Sequence, residues 1–246
     1  MGPTGSAASG AELFARYAYP PNELGYCGPD DASVLLRRDS ADAEQDIARH
    51  ARQFEGAWPY LEIIAAAAGI ADPLDERVVE AYWIGNDLLD NVDPESLVAQ
   101  LQERFVGQTG ASWVPGQPHH SFHVFAVYPW VGLLRRGTGN DVALSVLQQC
   151  RIRWGKVVAV RGERVAVLSQ PLVLVDGVLA LGAAREESAA WSVQGRSLLS
   201  SVCVGNNVAL HWDWVCDVLS AEQLAALVQH SADQLDRTNA VFATSG

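Results

Sequence analysis

Two hydrophobic periods divide this chain. From Ala11 to about Cys150, apolar residues recur at helical spacing in AELFARYAY, SADAEQDIARHARQFEGA, WPYLEIIAAAAG, DERVVEAYWIGNDLLDN and PESLVAQLQERF. After Cys150 the period falls to two. KVVAV, RVAVL, LVLVDGVLAL and NVALHWDWV are rich in β-branched residues and bounded by Gly or Asp turns such as VRGER and VDGVL. The segment SAEQLAALVQHSADQLDRTN then returns to helix, with Ser220 as its cap and Leu224, Leu227, Val228 and Leu235 on one apolar stripe. The fold class this predicts is α+β. An N-terminal all-helical domain spans 11–148, and a small β-barrel or sheet with a C-terminal helix spans 149–246. Residues 1–10, dominated by Gly, Ser and Ala, read as a disordered N-terminus.

The punctuation supports these boundaries. Asp72-Pro73 and Asp93-Pro94 each put an N-cap before a proline at the first helical position, Gly69 and Gly107 are stop signals, and Ser40 with Glu44 lies just outside capping-box spacing. SFHVFAVYPWVGLL reads as a helix interrupted near Pro129, and GNDVALSVLQQC as another. In YPPNELGYCGPDDA the density of Pro and Gly predicts an ordered loop around Tyr26 and Cys27, suited to an interface or pocket, with Gly28-Pro29-Asp30 starting the next helix.

Composition narrows the function classes. With 246 residues and 49% hydrophobic content the chain can bury a sizeable core, and no apolar run approaches the roughly 20 residues that span a bilayer. MGPTGSAASG lacks the charged and apolar regions of a signal peptide, so the expected location is the cytoplasm, without membrane association. The net charge of −12 is concentrated at the front: residues 1–145 hold 9 basic against 20 acidic side chains, and the remainder 8 against 9. Without clustered Lys and Arg, a nucleic-acid partner is not expected; the acidic part reads as a solvated helical surface, or as a docking face for a basic protein. The four cysteines, at 27, 150, 203 and 216, have no CxxC spacing and are expected as free thiols.

Three groups of residues carry candidate chemistry. Cys150 stands directly before a strand and His211 ends another, so a soft sulfur and an imidazole come near one barrel mouth, a pair that suits a transition metal. Arg151 and Arg153 beside the thiol would lower its pKa. The second group is PHHSFHVF. If its core is helical, His119 and His123 sit at i and i+4 with His120 beside them, the spacing of a two-histidine metal site, with Glu62, Asp87 and Asp90 as acidic groups on other helices. The third is the Tyr26-Cys27 loop. Nothing matches GxSxG, a Walker loop or a dinucleotide fingerprint.

CRIRWGKVVAVRGERVAVLS resembles the opening of the HypC/HupF family of small [NiFe]-hydrogenase maturation chaperones, which begin with a cysteine followed by a Gly-Lys-Val strand. VGNNVALHWDWVCDVLSAEQLAALVQ resembles that family's closing strand and C-terminal helix. The two halves come in the right order, and Lys156, the only lysine in the chain, falls on the family's Gly-Lys step. The resemblance covers about residues 150–237. It implies an OB-like barrel whose cysteine, matched by Cys150, holds with a partner protein the iron that carries cyanide and carbon monoxide before delivery to the hydrogenase large subunit; His211 matches the histidine of the closing strand. Two features depart from the family: Cys150 is internal and has no free amine, and Trp212-Asp213-Trp214 replaces the Gly-Phe-Ala that follows the histidine. The function implied is accessory, without turnover of its own: maturation or assembly of a [NiFe]-hydrogenase, with iron bound transiently. The client would be a large-subunit precursor or another maturation protein, met through Arg151, Arg153, Lys156, Trp212 and Trp214. The alternatives are a metal-dependent enzyme built on the His119/His123 cluster and a metal-free interaction module.

Overall fold

The computed structural model describes residues 8–37, 42–107, 113–137 and 140–243. Most of the segment expected to be disordered, and the Ser40 cap, lie outside them. Five helices come first: α1 (Gly10–Glu23), α2 (Ala43–Ala51), α3 (Trp58–Ala68), α4 (Glu76–Trp83) and α5 (Pro94–Arg104). Their ends follow local chemistry. Asp93 accepts the Ser96 amide with Pro94 at the first helical position, and Gly69 closes α3 at φ +67°, a conformation that costs glycine little. Two starts differ from expectation. Asp72 accepts the amide of Leu74 in a local turn, and Asp75 caps α4 instead; the segment after Gly28-Pro29-Asp30 is a 3-10 turn at Ala32–Leu36.

The helical pattern of α1 runs on through Pro20 and Pro21, so the expected loop begins later, at Leu24. Proline is tolerable there because it sits in the last turns, where its missing N–H frees carbonyls one turn back without breaking a long helix. Next come α6 (His120–Phe122), which continues as one π-helical turn over His123–Val127, then α7 (Trp130–Arg135) and α8 (Asn140–Cys150). The interruption expected near Pro129 is real: this residue precedes α7 as its N-cap.

The strands are β1 (Arg153–Arg161), β2 (Arg164–Ser169), β3 (Leu172–Val175), β4 (Val178–Leu181), β5 (Arg185–Ala190), β6 (Asn207–His211) and β7 (Trp214–Val218). β1 pairs antiparallel with β2 and β6, β2 with β5, and β6 with β7. The order β1-β2-β5-β7-β6 closes as a barrel through one parallel pair, Ala190 opposite Trp214. Gly155 is required where β1 crosses β2: a Cβ there would stand 2.6 Å from the Leu168 carbonyl oxygen. β3 and β4 make a separate hairpin whose Leu172 and Leu179 share a buried cluster with Leu147 of α8 and Leu235 of the last helix, α9 (Ala221–Ala243). Ser220 caps α9 reciprocally with Gln223.

β5 has no counterpart in the sequence reading. REESAA lacks the β-branched residues that mark strands, and tertiary pairing with β2 decides its form, with Ala189 buried inside the barrel. The largest apolar cluster spans both halves of the chain. Phe14, Tyr60, Trp83 and Phe122 share it with Ile152, Ala209, Trp214 and Cys216, so the helices and the barrel are packed on one another across residue 149. The ion pair of Arg16 with Asp217 at 2.8 Å ties α1 to β7 along the same seam. No helix among the described residues is long and apolar enough to cross a membrane.

Candidate metal centre and its cavity

Between the helices and the barrel lies a cavity of about 290 Å³. His120, Cys150 and His211 meet on its wall, with one donor atom from each lying within 4.8 Å of the others. Each sits at an element end: His120 opens α6, Cys150 closes α8 and His211 closes β6. The sequence reading had placed Cys150 with His211 in one group and His120 in another; the fold merges them.

His211 is held by α1. Its Nδ1–H donates to the Tyr17 carbonyl at 2.7 Å, which puts the proton on Nδ1 and leaves the Nε2 lone pair bare. That carbonyl is free because Pro21, four residues on, has no N–H to return to it. Nε2 is buried and has no hydrogen-bond partner among the described residues. His120 is fully engaged. Its Nε2 lies 2.9 Å from the Cys150 carbonyl, an acceptor, so Nε2 carries the proton and Nδ1 accepts from the Tyr82 hydroxyl at 3.1 Å. Trp83 spreads behind both rings, 4.6 Å from His120 and 5.7 Å from His211 between centroids.

Arg153 locks Cys150 and His211 together. Its guanidinium donates to the Gln148 and Gln149 carbonyls at the end of α8, at 3.1 and 3.3 Å, to the Trp212 carbonyl in the β6–β7 turn, and to Glu187 of β5 at 3.0 Å. The Trp212 amide returns a hydrogen bond to the Gln149 carbonyl at 2.9 Å. Trp212 takes φ +53° to do so, a costly conformation for a non-glycine residue that these bonds hold in place. Burial pushes the Glu187 carboxyl up, but the Arg153 charge and hydrogen bonds from Arg153 and Ser169 hold it below the usual carboxylate range.

The electrostatics differ from expectation. The charge of Arg153 is spent on Glu187 and carbonyls, and Arg151 donates to the Gln170 carbonyl and the Gln148 side chain beside Trp154. Neither activates the thiol: burial, and next the neighbouring Cys27, push Cys150 well up. Burial likewise raises Cys27 to about 12, lowers His120 to about 4 and His123 to about 3, and holds His211 well below its ordinary value. No Asp, Glu, Lys or Arg is among the described residues lining the cavity. Its groups are neutral.

His119 and His123 do not form the expected i, i+4 pair. His119 precedes α6 in extended conformation, caps it by accepting the Ser121 amide, and stacks on His230 away from the cavity. It is His120 and His123, three apart, that face the cavity. No carboxylate joins them: Glu62 is taken by Trp58 and Arg104, Asp87 by Arg77, and Asp90 by Gln117. Of the side chains expected on a partner surface, Arg151, Arg153, Trp212 and Trp214 are buried, and only Lys156 is exposed. The buried atoms were not separable from surface ones by sequence, because the hairpin turn that carries Trp212 and Trp214 folds inward onto α8 and α1.

The Tyr26-Cys27 loop does reach the site. Cys27 lines the cavity, and Tyr26 stacks on Trp212 with centroids 4.0 Å apart. The sequence reading missed Tyr17, Pro21, Tyr60, Tyr82 and Gly56. Of these, only Pro21, next to Pro20 at the end of a helical pattern, gave a signal: it announces an unpaired carbonyl without saying what takes it.

No curated protein and no solved structure matches the chain. A protein-family model does, over residues 6–245, and the chain therefore belongs to that family, which is described as a family of unknown function, DUF6390.

Proposed function

We propose that the chain holds a transition metal through Cys150 and His211 as an accessory protein. The observation that carries this reading is the grouping of His211, Cys150 and His120 with one donor atom from each within 4.8 Å of the others, together with a buried His211 Nε2 that has no hydrogen-bond partner among the described residues. A histidine that donates Nδ1–H to a backbone carbonyl and keeps Nε2 unpartnered beside a cysteine has the arrangement of a metal ligand with its outer partner already in place. A sulfur and two imidazoles suit a soft or borderline divalent ion. His211 is ready as it stands, Cys150 joins by giving up its thiol proton as the metal binds, and His120 joins only by releasing the Cys150 carbonyl or the Tyr82 hydroxyl. All three residues line the cavity, which gives a metal held there room for a further ligand, as a protein that passes its metal on requires.

The HypC/HupF-like segment supplies the client in this proposal: a [NiFe]-hydrogenase large-subunit precursor or an iron-carrying maturation protein in the cytoplasm, with iron as cargo. Metal titration with Co(II) tests the site. Cys150→Ala and His211→Ala are expected to abolish stoichiometric binding and the thiolate-to-cobalt charge-transfer band, while His119→Ala and His123→Ala keep both; retention in Cys150→Ala would overturn the metal assignment. In the native host, Cys150→Ala is expected to abolish hydrogenase maturation although the protein folds. Normal hydrogenase activity in that strain would sink the client assignment alone.

A further inference from the structure

The cavity has a second polar point, away from the three clustered donors. His123 is 2% exposed, and its Nδ1 lies 3.0 Å from the Tyr60 hydroxyl. Its Nε2 has no partner among the described residues. Tyr60 decides the tautomer. If its hydroxyl donates to Nδ1, one group is left unpaired, the Nε2–H; the reverse arrangement strands both the Tyr60 proton and the Nε2 lone pair. Fewer unpaired buried groups favour the first, so His123 presents a donor.

That donor faces a gap left by a glycine. A Cβ on Gly56 would stand 3.0 Å from His123 Nε2 and 3.5 Å from the Tyr128 hydroxyl. All three residues line the cavity, and the Tyr128 ring packs on His123 with centroids 4.3 Å apart. An N–H and an O–H thus border the same stretch of cavity wall, and the missing side chain of Gly56 leaves both uncovered. Around it the walls are Phe54, Trp83, Trp130 and Trp212, with no charged side chain.

The geometry points to a small-molecule subsite: an uncharged compound with a planar apolar body lies among these aromatic walls, and its carbonyl oxygen, passing in front of Gly56, accepts from His123 Nε2–H with the Tyr128 O–H as a second donor nearby. The absence of charge selects against ionised ligands, which would leave water without a counter-ion. Burial that keeps His123 neutral maintains a single donor at Nε2 rather than a cation. At about 290 Å³ the cavity stands at the lower end of small-molecule sites and takes a one- or two-ring compound. The inference does not rest on the metal reading, since none of the proposed ligands is among its polar contacts.

The test compares acetophenone with α-methylstyrene, the same shape with a methylene in place of the oxygen, on chelator-treated protein by ligand-observed NMR titration. Acetophenone is expected to bind about tenfold more tightly, the worth of roughly one hydrogen bond in a buried site. Gly56→Ala puts a methyl 3.0 Å from His123 Nε2 and covers that donor, and it is expected to bring the two probes within about twofold in a protein that still unfolds cooperatively, as is His123→Phe. Failure of acetophenone to bind, equal affinity of the two probes for the wild-type protein, or discrimination that survives in Gly56→Ala would each overturn the subsite. Because metal is absent throughout, none of these results bears on Cys150 and His211 as ligands.

Discussion

The Tyr17 carbonyl accepts the Nδ1–H of His211 at 2.7 Å, although the two residues stand 194 positions apart. Pro21 makes this possible by withholding the amide that would otherwise occupy the same carbonyl. A helix-terminal proline, which looks like a boundary mark in the sequence, thereby sets which nitrogen of a barrel histidine carries the proton.

Replacing that proline should therefore reach the metal without touching it. Pro21→Ala restores an N–H at the end of α1, which competes for the Tyr17 carbonyl and loosens the His211 tautomer. Co(II) affinity is expected to fall about tenfold, the lower end for loss of a partner behind a ligating histidine, while the thermal midpoint stays or rises. Competition titration against a chromophoric chelator reads the first, and calorimetry the second.

Arg153 is a buried cation on which α8, β5 and the β6–β7 turn all depend. Arg153→Met removes the cation but leaves Glu187 half-buried and the carbonyls of Gln148, Gln149 and Trp212 without their donor. Loss of one partner from such a buried network costs about 3–5 kcal/mol. Urea unfolding measures it, and Arg153→Met with Glu187→Gln together should cost less than the single change, because the stranded charge is gone.

Acid should unfold the protein in a definite window. Burial holds His123 near 3 in the folded state, against about 6.5 in an unfolded chain, and Tyr60, Tyr128, Phe105 and His120 surround it without an acid. Its contribution is complete above pH 6.5. Below that the unfolded chain takes up a proton the folded one refuses, so stability falls as the pH drops from 6.5 towards 3, by up to about 1.4 kcal/mol per pH unit for this group. Denaturation at pH 7 and pH 5 should show a smaller difference in His123→Phe than in the wild-type protein.

Gly155→Ala tests the barrel. The added methyl would meet the Leu168 carbonyl oxygen at 2.6 Å, and backbone cannot yield as a flexible side chain does. The expected cost is about 1–3 kcal/mol, read by thermal unfolding. An unchanged midpoint would show that β1 and β2 are looser than their pairing implies.

The α+β class was legible because two periods, near 3.6 and 2, are written plainly on either side of Cys150. β5 was not, because REESAA becomes a strand only when β2 supplies its partner. At the site, Cys150 and His211 were legible as chemistry, and so were the three histidines of PHHSFHVF. What the sequence could not supply was their grouping. Whether His119 or His120 turns inward depends on where α6 begins, and that depends on a cap that His119 itself provides. The orientation of Arg153 was equally hidden: next to a cysteine in sequence, it reads as an activator, yet its side chain is drawn to Glu187 and to the carbonyls at the end of α8.

His120, Cys150 and His211 each occupy the terminal position of an element, and this makes the site sensitive to length in a way it is not to composition. One residue inserted into α8 would turn Cys150 by about 100° around the helix axis, and one inserted into β6 would send His211 to the opposite face of the sheet. Single-residue insertions and deletions near these three ends should thus be far more damaging than substitutions at the same distance. Family members that keep the centre would be expected to vary in their loops while holding α6, α8 and β6 to constant register.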